Sequence, residues 1–484
     1  MNIKNTKIVS KYRALGVEAK AGLWFIICNF LNKGISVIIV PIYTRLLSSE
    51  EYGKYTVFQS WLNIFIILAT LEISRGHYKL GVIKYENDVK RYASSTLGLG
   101  STITFAFLLV YICGVSYFNQ LLELSTPVII GMLLYLMVYP AWEFWTIDQR
   151  FKYKYKRMVL ITLLVAILTP IVGMLGILLL NMEGEAAIFS KLLIQGAVAF
   201  FLYVAYVRNG RKLWDKKYWK EVFVFNITLV PYLLSTTILN QADRIMINNM
   251  IGASQAAIYG VAYSAAMLFQ LFNTAISDAF VPWMYRRLKE ESYDKIEPIN
   301  DKLLILVGAL NLMLVLFSPE VIRVFAPAAY YEAIWIIPPV TASVFFIFLF
   351  TRYINAEIYY EATKEISIIS ILIALINIVL NYFCILQWGY LAAGYTTLVC
   401  YILFCLAHFY TLRRICKRKC SGKQIFTGRR TVVISIIFLG LVFTIMTVYE
   451  YRLIRYCVAF ALFAYCIIKR DFVVWLLKNK KADN

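Results

Sequence analysis

The sequence predicts an all-α polytopic membrane protein with about 14 transmembrane helices. Of its 484 residues, 61% are hydrophobic and only 16% are charged, which is too apolar for a water-soluble protein of this length. Windows of about 20 mostly apolar residues, each long enough to cross the hydrocarbon as a helix, recur along the chain. The predicted spans are residues 21–43, 56–74, 93–117, 126–146, 158–180, 186–207, 222–248, 256–284, 302–325, 333–351, 366–386, 390–411, 431–449 and 454–476.

The distribution of basic residues explains the formal net charge of +21. Of the 49 Lys and Arg residues, 41 lie in the two terminal tails and in every second loop. The intervening loops hold five, and only Lys33, Lys191 and Arg244 lie within spans. This pattern obeys the positive-inside rule with both termini cytoplasmic, so the charge reflects orientation and we expect no nucleic-acid partner.

The loops contain none of the motifs that would indicate chemistry. There is no phosphate-binding loop, no G-x-S-x-G and no H-E-x-x-H, and the outward loops are short. Cys416 and Cys420 form a weak metal-site candidate, because the chain offers only two histidines as further ligands. We therefore expect no enzyme, no metal and no cofactor, and a secondary transporter or a channel.

Polar side chains within the spans are concentrated in helices 1, 2, 7 and 8. Residues spaced by four share one helix face, so each set forms a stripe. The stripes are Asn29 and Lys33 in helix 1; Gln59 and Asn63 in helix 2; Thr236, Asn240, Arg244 and Asn248 in helix 7; and Gln270, Thr274 and Asp278 in helix 8. We expect these four helices to line a water-filled central cavity, because polar groups that face lipid are costly.

Structural roles compete with this interpretation. Asn, Gln and Thr often hydrogen-bond between packed helices, and Lys191 lies close enough to the outer end of its span to snorkel. Asp243 and Arg244 point about 100° apart on a helix, so one of them could form a structural salt bridge with a neighbouring helix. Lys33, near the middle of its span, is the hardest charge to explain without water or a ligand.

The two halves of the chain contain similar short sequence motifs. Residues L-N-K-G followed by E-E-Y-G-K-Y in the first half correspond to L-N-Q-A-D-R-I-M-I followed by A-A-I-Y-G-V-A-Y in the second. This internal repeat predicts two pseudo-repeated six-helix lobes, followed by two C-terminal helices. The predicted segments are 1–20 (cytoplasmic tail), 21–207 (N-lobe), 208–221 (basic linker), 222–411 (C-lobe), 412–430 (basic loop) and 431–484 (helices 13 and 14 with the cytoplasmic tail).

Four motifs resemble a known family. They are P-I-Y-T-R-L-L-S-S-E-E-Y-G-K-Y from Pro41, A-D-R-I-M-I from Ala242, I-G-A-S-Q-A-A-I-Y-G-V-A-Y from Ile251 and A-F-V-P-W-M-Y-R-R-L from Ala279. In order and spacing they resemble the Wzx-type flippases, the O-antigen or capsule repeat-unit transporters of the multidrug/oligosaccharidyl-lipid/polysaccharide superfamily. The resemblance covers residues 15–410. It implies a bacterial cytoplasmic (inner) membrane protein with a cationic cavity that opens alternately to each side, and a cargo of undecaprenyl-pyrophosphate-linked glycan.

The resemblance gives the polar residues candidate roles. Lys33 and Arg244 would contact the pyrophosphate, and Asn29, Asn63, Asn240 and Gln270 would contact the sugars, while the prenyl tail stays in membrane lipid. Asp278 and Asp243 are the candidates for coupling to H⁺ or Na⁺. Arg45, Gly53, Pro231, Gly260 and Pro282 would serve gating or structure, and a glycan polymerase is the candidate protein partner.

Three alternatives stay open at this point. An ion-coupled multidrug exporter shares the architecture, although Lys33 argues against a cationic cargo. A lipid II flippase for the cell wall would also have about 14 helices. A polytopic membrane enzyme such as a polysaccharide polymerase is disfavoured by the short outward loops.

Overall fold

The computed structural model describes residues 16–180, 182–420 and 422–468, and it confirms the all-α membrane fold. The described residues form helices and connecting turns, with no β-strand among them. Within these ranges, 12 helices are long and apolar enough to cross a membrane, or up to 13 if a bent pair counts as one span. The predicted cytoplasmic tails lie largely outside the described residues, as do residues 469–476 of the last predicted span.

The chain divides into two compact units, Met1–Leu234 and Ser235–Asn484. The boundary falls inside one long helix, α9 (Lys216–Met250). The first unit otherwise contains α1 (Val17–Leu46), α2 (Ser49–Thr70), α3 (Lys79–Lys84), α4 (Val89–Cys113), α5 (Val115–Leu122), α6 (Thr126–Phe151), α7 (Tyr155–Leu180) and α8 (Glu183–Gly210). The second contains α10 (Ala253–Met267), α11 (Phe269–Lys289), α12 (Ile296–Leu316), α13 (Ser318–Phe325), α14 (Ile337–Tyr359), α15 (Thr363–Trp388), α16 (Ala392–Lys419), α17 (Arg429–Thr447) and α18 (Arg452–Ile468).

Three predicted spans are each divided between two helices. Residues 93–117 are divided at Gly114, which follows α4 and precedes α5. Residues 256–284 are divided at Leu268, between α10 and α11. Residues 302–325 are divided at Phe317, and α13 then begins with Pro319 in its first turn, a position where proline has no helical N–H to lose.

The second predicted span, 56–74, ends in a sharp bend that the hydropathy pattern did not indicate. Helix α2 stops at Thr70, and Leu71 and Glu72 adopt left-handed backbone conformations. The following segment Ser74–Lys84, a π-helical turn over Ser74–Tyr78 continued by α3, is bent by 64° relative to α2. Gly76 is needed inside this turn, because a Cβ there would lie 1.7 Å from the side-chain oxygen of Asn226. The glycine therefore lets another helix approach the backbone closely.

Polar bonds hold the bend in place within the first unit. The Asn226 oxygen accepts the backbone N–H of His77 at 3.4 Å, and the His77 ring bridges the Tyr92 hydroxyl (2.8 Å) and the Glu221 carboxylate (3.2 Å). These partners lie on α4 and α9, so the bend is a consequence of tertiary contacts that a hydropathy plot does not contain.

Helix α14 lies at the core of the second unit. Of its most apolar window, 89% is buried inside the protein, the largest fraction among the described spans. It runs to Tyr359, eight residues beyond the predicted end at 351. Arg352, which the sequence analysis assigned to a cytoplasmic loop, therefore lies within the helix and is completely buried.

Candidate functional site

Asp243 lies at the centre of a buried polar cluster in the second unit. Its side chain is 1% exposed and accepts hydrogen bonds from three neutral donors on three helices. Asn381 Nδ2 donates to Oδ1 at 2.6 Å, Thr397 Oγ1 donates to Oδ2 at 2.7 Å, and the Tyr259 hydroxyl also donates to Oδ2. No basic side chain forms a salt bridge with Asp243 among the described residues, so neutral donors take the place of the salt bridge considered from the sequence.

Asn240 and Arg244 occupy the neighbouring positions on α9. The Asn240 side-chain oxygen accepts the hydroxyls of Tyr263 at 2.8 Å and Tyr401 at 2.9 Å. The Arg244 guanidinium lies over the Tyr263 ring, 4.2 Å from its centroid, and donates to Gln241 at 2.7 Å. The arginine is only 9% exposed, so its charge is held against an aromatic face by a cation–π contact.

Lys33 contrasts with these buried groups. It lies near the middle of α1, is exposed, and has no hydrogen-bond or ion-pair partner among the described residues. Asn29, one turn earlier, is also exposed. Asn29 and Lys33 thus lie one turn apart and are both exposed, and the described part of the chain supplies no partner for the Lys33 cation.

The polar stripe of α2 is divided between a half-buried and an exposed member. Asn63 is exposed, whereas Gln59 accepts a hydrogen bond from the Lys191 ammonium of α8. Lys191 thus turns to a neighbouring helix, which differs from the snorkelling expected for it. The difference arises because an amide oxygen on α2 lies within reach, which hydropathy alone does not reveal.

Gln270 and Asp278 both lie on α11. Gln270 is half-buried, and its side-chain oxygen accepts from Asn273 at 3.3 Å. Asp278 is exposed and has no hydrogen-bond or ion-pair partner in the described ranges. It is therefore a carboxylate that is available to a cation or a proton.

The five residues predicted for gating or structure all lie within α-helices. Arg45, at the end of α1, donates to the Pro41 carbonyl at 2.8 Å, an oxygen that lies within a proline-containing helix. Gly53 and Gly260 are both buried, and the carbonyl of each accepts a hydroxyl one turn later, at 2.8 and 2.7 Å. Pro231 in α9 and Pro282 in α11 are exposed inside their helices.

Several polar residues of the second unit were absent from the sequence-based candidates. They are Tyr259, Arg352, Glu357, Asn377, Asn381, Thr397 and His408, all buried. Asn377 and Asn381 are spaced by four on α15 and could have been found as a stripe, whereas no such spacing links the other residues in this set. The described residues hold no group of three or more His, Cys, Asp or Glu side chains that could bind a metal ion.

A protein-family match extends over more than half of the chain. Residues 19–287 match the family described as "Polysaccharide biosynthesis protein". The chain belongs to this family. An uncharacterized membrane protein of Haemophilus influenzae is 22% identical over 375 residues, which is 73% of this chain and 86% of that protein.

Solved structures confirm the fold. The lipid II flippase MurJ, in an inward closed conformation, superimposes with a TM-score of 0.71 at 15% identity, covering 93% of this chain and 99% of that one. An inward-facing multidrug resistance MATE transporter of the MOP superfamily gives a TM-score of 0.58 at 13% identity, covering 80% and 96%. The fold is therefore the one used by transporters of this superfamily, as the motifs implied.

Proposed function

We propose that this family member is a flippase that moves undecaprenyl-pyrophosphate-linked oligosaccharide repeat units across the bacterial cytoplasmic membrane by alternating access. The products would feed a surface polysaccharide such as O-antigen or capsule. The observation that carries the proposal is Lys33, an exposed cation without a partner among the described residues, near the middle of an apolar helix. Such a charge is costly in a membrane unless water or a ligand meets it.

A pyrophosphate is the ligand that suits this position. Its negative charge cannot enter hydrocarbon unaided, and a nearby ammonium offsets part of its loss of hydration. Asn29, exposed one turn away, supplies an amide that can both donate to and accept from a sugar. Lys33 and Asn29 together would then hold the junction between phosphate and sugar, with Asn63 of the same unit as a further sugar contact.

Arg244 would contribute differently from Lys33. Its guanidinium is buried and stacked on Tyr263, so contact with a phosphate requires it to leave that ring. In the present arrangement it orients Tyr263, whose hydroxyl donates to Asn240. We therefore assign Arg244 a phosphate contact in a later step of the cycle.

Asp243 and Asp278 are the proposed coupling groups. The hydroxyls of Tyr259 and Thr397 and the amide nitrogen of Asn381 all donate to Asp243, so binding of H⁺ or Na⁺ by this carboxylate would require these donors to turn away. Asp278, exposed on α11, is the candidate for direct protonation. A protonatable group should tolerate glutamate better than asparagine, so Asp278→Asn should slow transport more than Asp278→Glu. Equal activity of both variants at every pH would exclude proton coupling through Asp278.

The test of the main proposal is complementation of a bacterial strain that lacks its own repeat-unit flippase. Lys33→Ala should abolish surface glycan and leave lipid-linked units accumulated inside, whereas Lys33→Arg keeps the charge and should retain part of the activity. Lys364→Ala, an exposed lysine at the start of α15, is the matched control and should behave as wild type. Wild-type glycan levels from a well-inserted Lys33→Ala variant would refute the role of Lys33.

A lipid II flippase is the second candidate, and the extent of the structural match to MurJ favours it. Lipid II also carries a pyrophosphate, so Lys33 does not separate the two functions. Depletion of the host's essential lipid II flippase separates them: rescue of growth by this chain would favour lipid II, and death of the cells would favour an oligosaccharide cargo.

A further inference from the structure

Glu357 on α14 and His408 on α16 form an ionisable pair in the core of the second unit. Both side chains are 0% exposed, and His408 Nδ1 lies 2.8 Å from Glu357 Oε2. Within the described part of the chain, Glu357 Oε1 and His408 Nε2 have no hydrogen-bond partner. Each of the two side chains thus has one polar atom that is hydrogen-bonded and one that has no hydrogen-bond partner among the described residues.

The orphaned atoms distinguish this pair from a purely structural contact. Asp243, in the same unit, has both carboxylate oxygens satisfied by neutral donors on neighbouring helices. Glu357 has a single hydrogen-bond partner among the described residues, His408, and that partner is itself ionisable. Buried polar groups are nearly always fully hydrogen-bonded, so two orphaned atoms in one pair require an explanation.

The charge of the pair depends on one proton. With a neutral imidazole donating from Nδ1, the carboxylate leaves a net charge of −1 in a site closed to water. One added proton makes the pair neutral, either as imidazolium with carboxylate or as imidazole with carboxylic acid. The 2.8 Å hydrogen bond persists in every one of these states. The pair can therefore gain and lose a proton without breaking its own contact.

The surroundings exclude water and supply mainly negative charge. The rings of Phe404 and Phe350 lie 4.7 and 6.3 Å from the His408 ring. The neighbouring helices present three carboxylates to this region: Glu365 toward Glu357 itself, and Glu297 and Asp301 of α12 toward Tyr353.

Arg352 is the buried cation on the same helix. It donates to Ser277 at 3.0 Å, lies between Phe280 and Phe348, and forms no ion pair with Glu357 among the described residues. The region therefore contains a cation that is close in sequence but does not neutralise the carboxylate directly.

We propose that Glu357 and His408 form a proton-binding site that takes up and releases a proton during the transport cycle. The site is separate in the chain from Asp243 and Asp278, and its ligand is the proton alone. It lies two residues before the end of α14, next to the turn that precedes Glu365, which is exposed. A small shift of this helix end would connect the pair to water and allow exchange. Its role in transport rests on the proposed function, whereas its ability to bind a proton does not.

The chain is well suited to a direct test, because it contains only two histidines, His77 and His408. The full-length protein, labelled with ¹⁵N-histidine and placed in lipid bilayers, is titrated by NMR from about pH 5 to about pH 9. The His77→Gln variant assigns the His408 ring signals. We expect one transition of His408 between imidazolium and neutral imidazole, and Glu357→Gln should lower its midpoint by at least about one pH unit, since the carboxylate that favours the imidazolium is gone.

The outcomes separate the proposal from its alternatives. The His77 signals serve as an internal folding control and should be unchanged in Glu357→Gln. His408 ring nitrogen signals that show neither formation of imidazolium nor a change of tautomer at Nδ1 throughout the range would overturn the proton site. In the complementation assay, Glu357→Gln should lose surface glycan while Glu357→Asp retains part of it. Normal export by Glu357→Gln, together with the NMR transition, would overturn only the coupling role.

Discussion

Removal of the Glu320 side chain should destabilise the packing of α18, the last described helix. Arg455 of α18 is 1% exposed and donates to both oxygens of Glu320, at 2.7 and 2.8 Å, and to the Leu316 carbonyl at 2.6 Å. Glu320→Ala would leave this buried guanidinium without its counter-ion.

The size of the effect follows from the burial of the two partners. Loss of one partner from a buried ion pair costs about 3–5 kcal/mol. Glu320 is 28% exposed, so water compensates part of the loss, and we expect the lower end, about 3 kcal/mol. For a cooperative unit of this size, that corresponds to a fall in Tm of about 6 °C or more.

Thermal unfolding of the purified protein in detergent measures this change. Glu450→Gln is the matched control, because Glu450 is exposed in the turn before α18 and should change Tm by no more than about 1 °C. A Glu320→Ala variant that melts with the control would refute the assignment of the pair as a stabilising contact.

The same pair predicts a pH dependence. Burial alone would raise the pKa of Glu320, but the hydrogen bonds and charge of Arg455 prevail and hold the pKa below its ordinary value. The stabilisation is therefore fully present above the unfolded pKa of about 4.3 and is lost as the pH falls through the lower folded pKa. The Tm difference between wild type and Glu320→Ala should accordingly be large at neutral pH and shrink in acid.

Two further predictions concern packing and the Asp243 cluster. Gly98→Ala should destabilise the first unit by about 1–3 kcal/mol, because the new Cβ would lie 2.1 Å from the Leu213 backbone oxygen. Gly34→Ala, where nothing lies within 4 Å, should leave Tm unchanged or raise it, and equal effects of the two glycine variants would contradict the packing described here. Asp243→Ala should cost about 1–3 kcal/mol for each buried donor left unpaired, whereas Asp243→Asn keeps the shape and should lower Tm less, as thermal unfolding of both variants can show.

The membrane character, the approximate number of spans and the common helix face of Asn29 and Lys33 were accessible from the sequence. A run of about 20 apolar residues has one stable solution in a bilayer, which is a helix, so composition alone predicts the architecture. Spacing by four placed Asn29 and Lys33 on one face, and the structure leaves both exposed. The family motifs likewise needed no coordinates, and the family match confirms them.

The breaks within spans were not accessible in this way. The bend after Thr70 depends on Asn226 filling the space beside Gly76, and these residues lie 150 positions apart. Hydropathy averages over a window and cannot register a contact of this kind. For the same reason, the hydropathy pattern ended the tenth span too early and placed Arg352 in a loop.

The polar cores of the second unit were decided by tertiary structure alone. Asp243 carries a charge that the sequence displays, but the donors that satisfy it come from Tyr259, Asn381 and Thr397 on three other helices. Glu357 and His408 lie on different helices and become a pair only when α14 packs against α16. Periodicity reports what one helix presents to its surroundings, whereas the partner of a single buried polar group is set by which helices pack together.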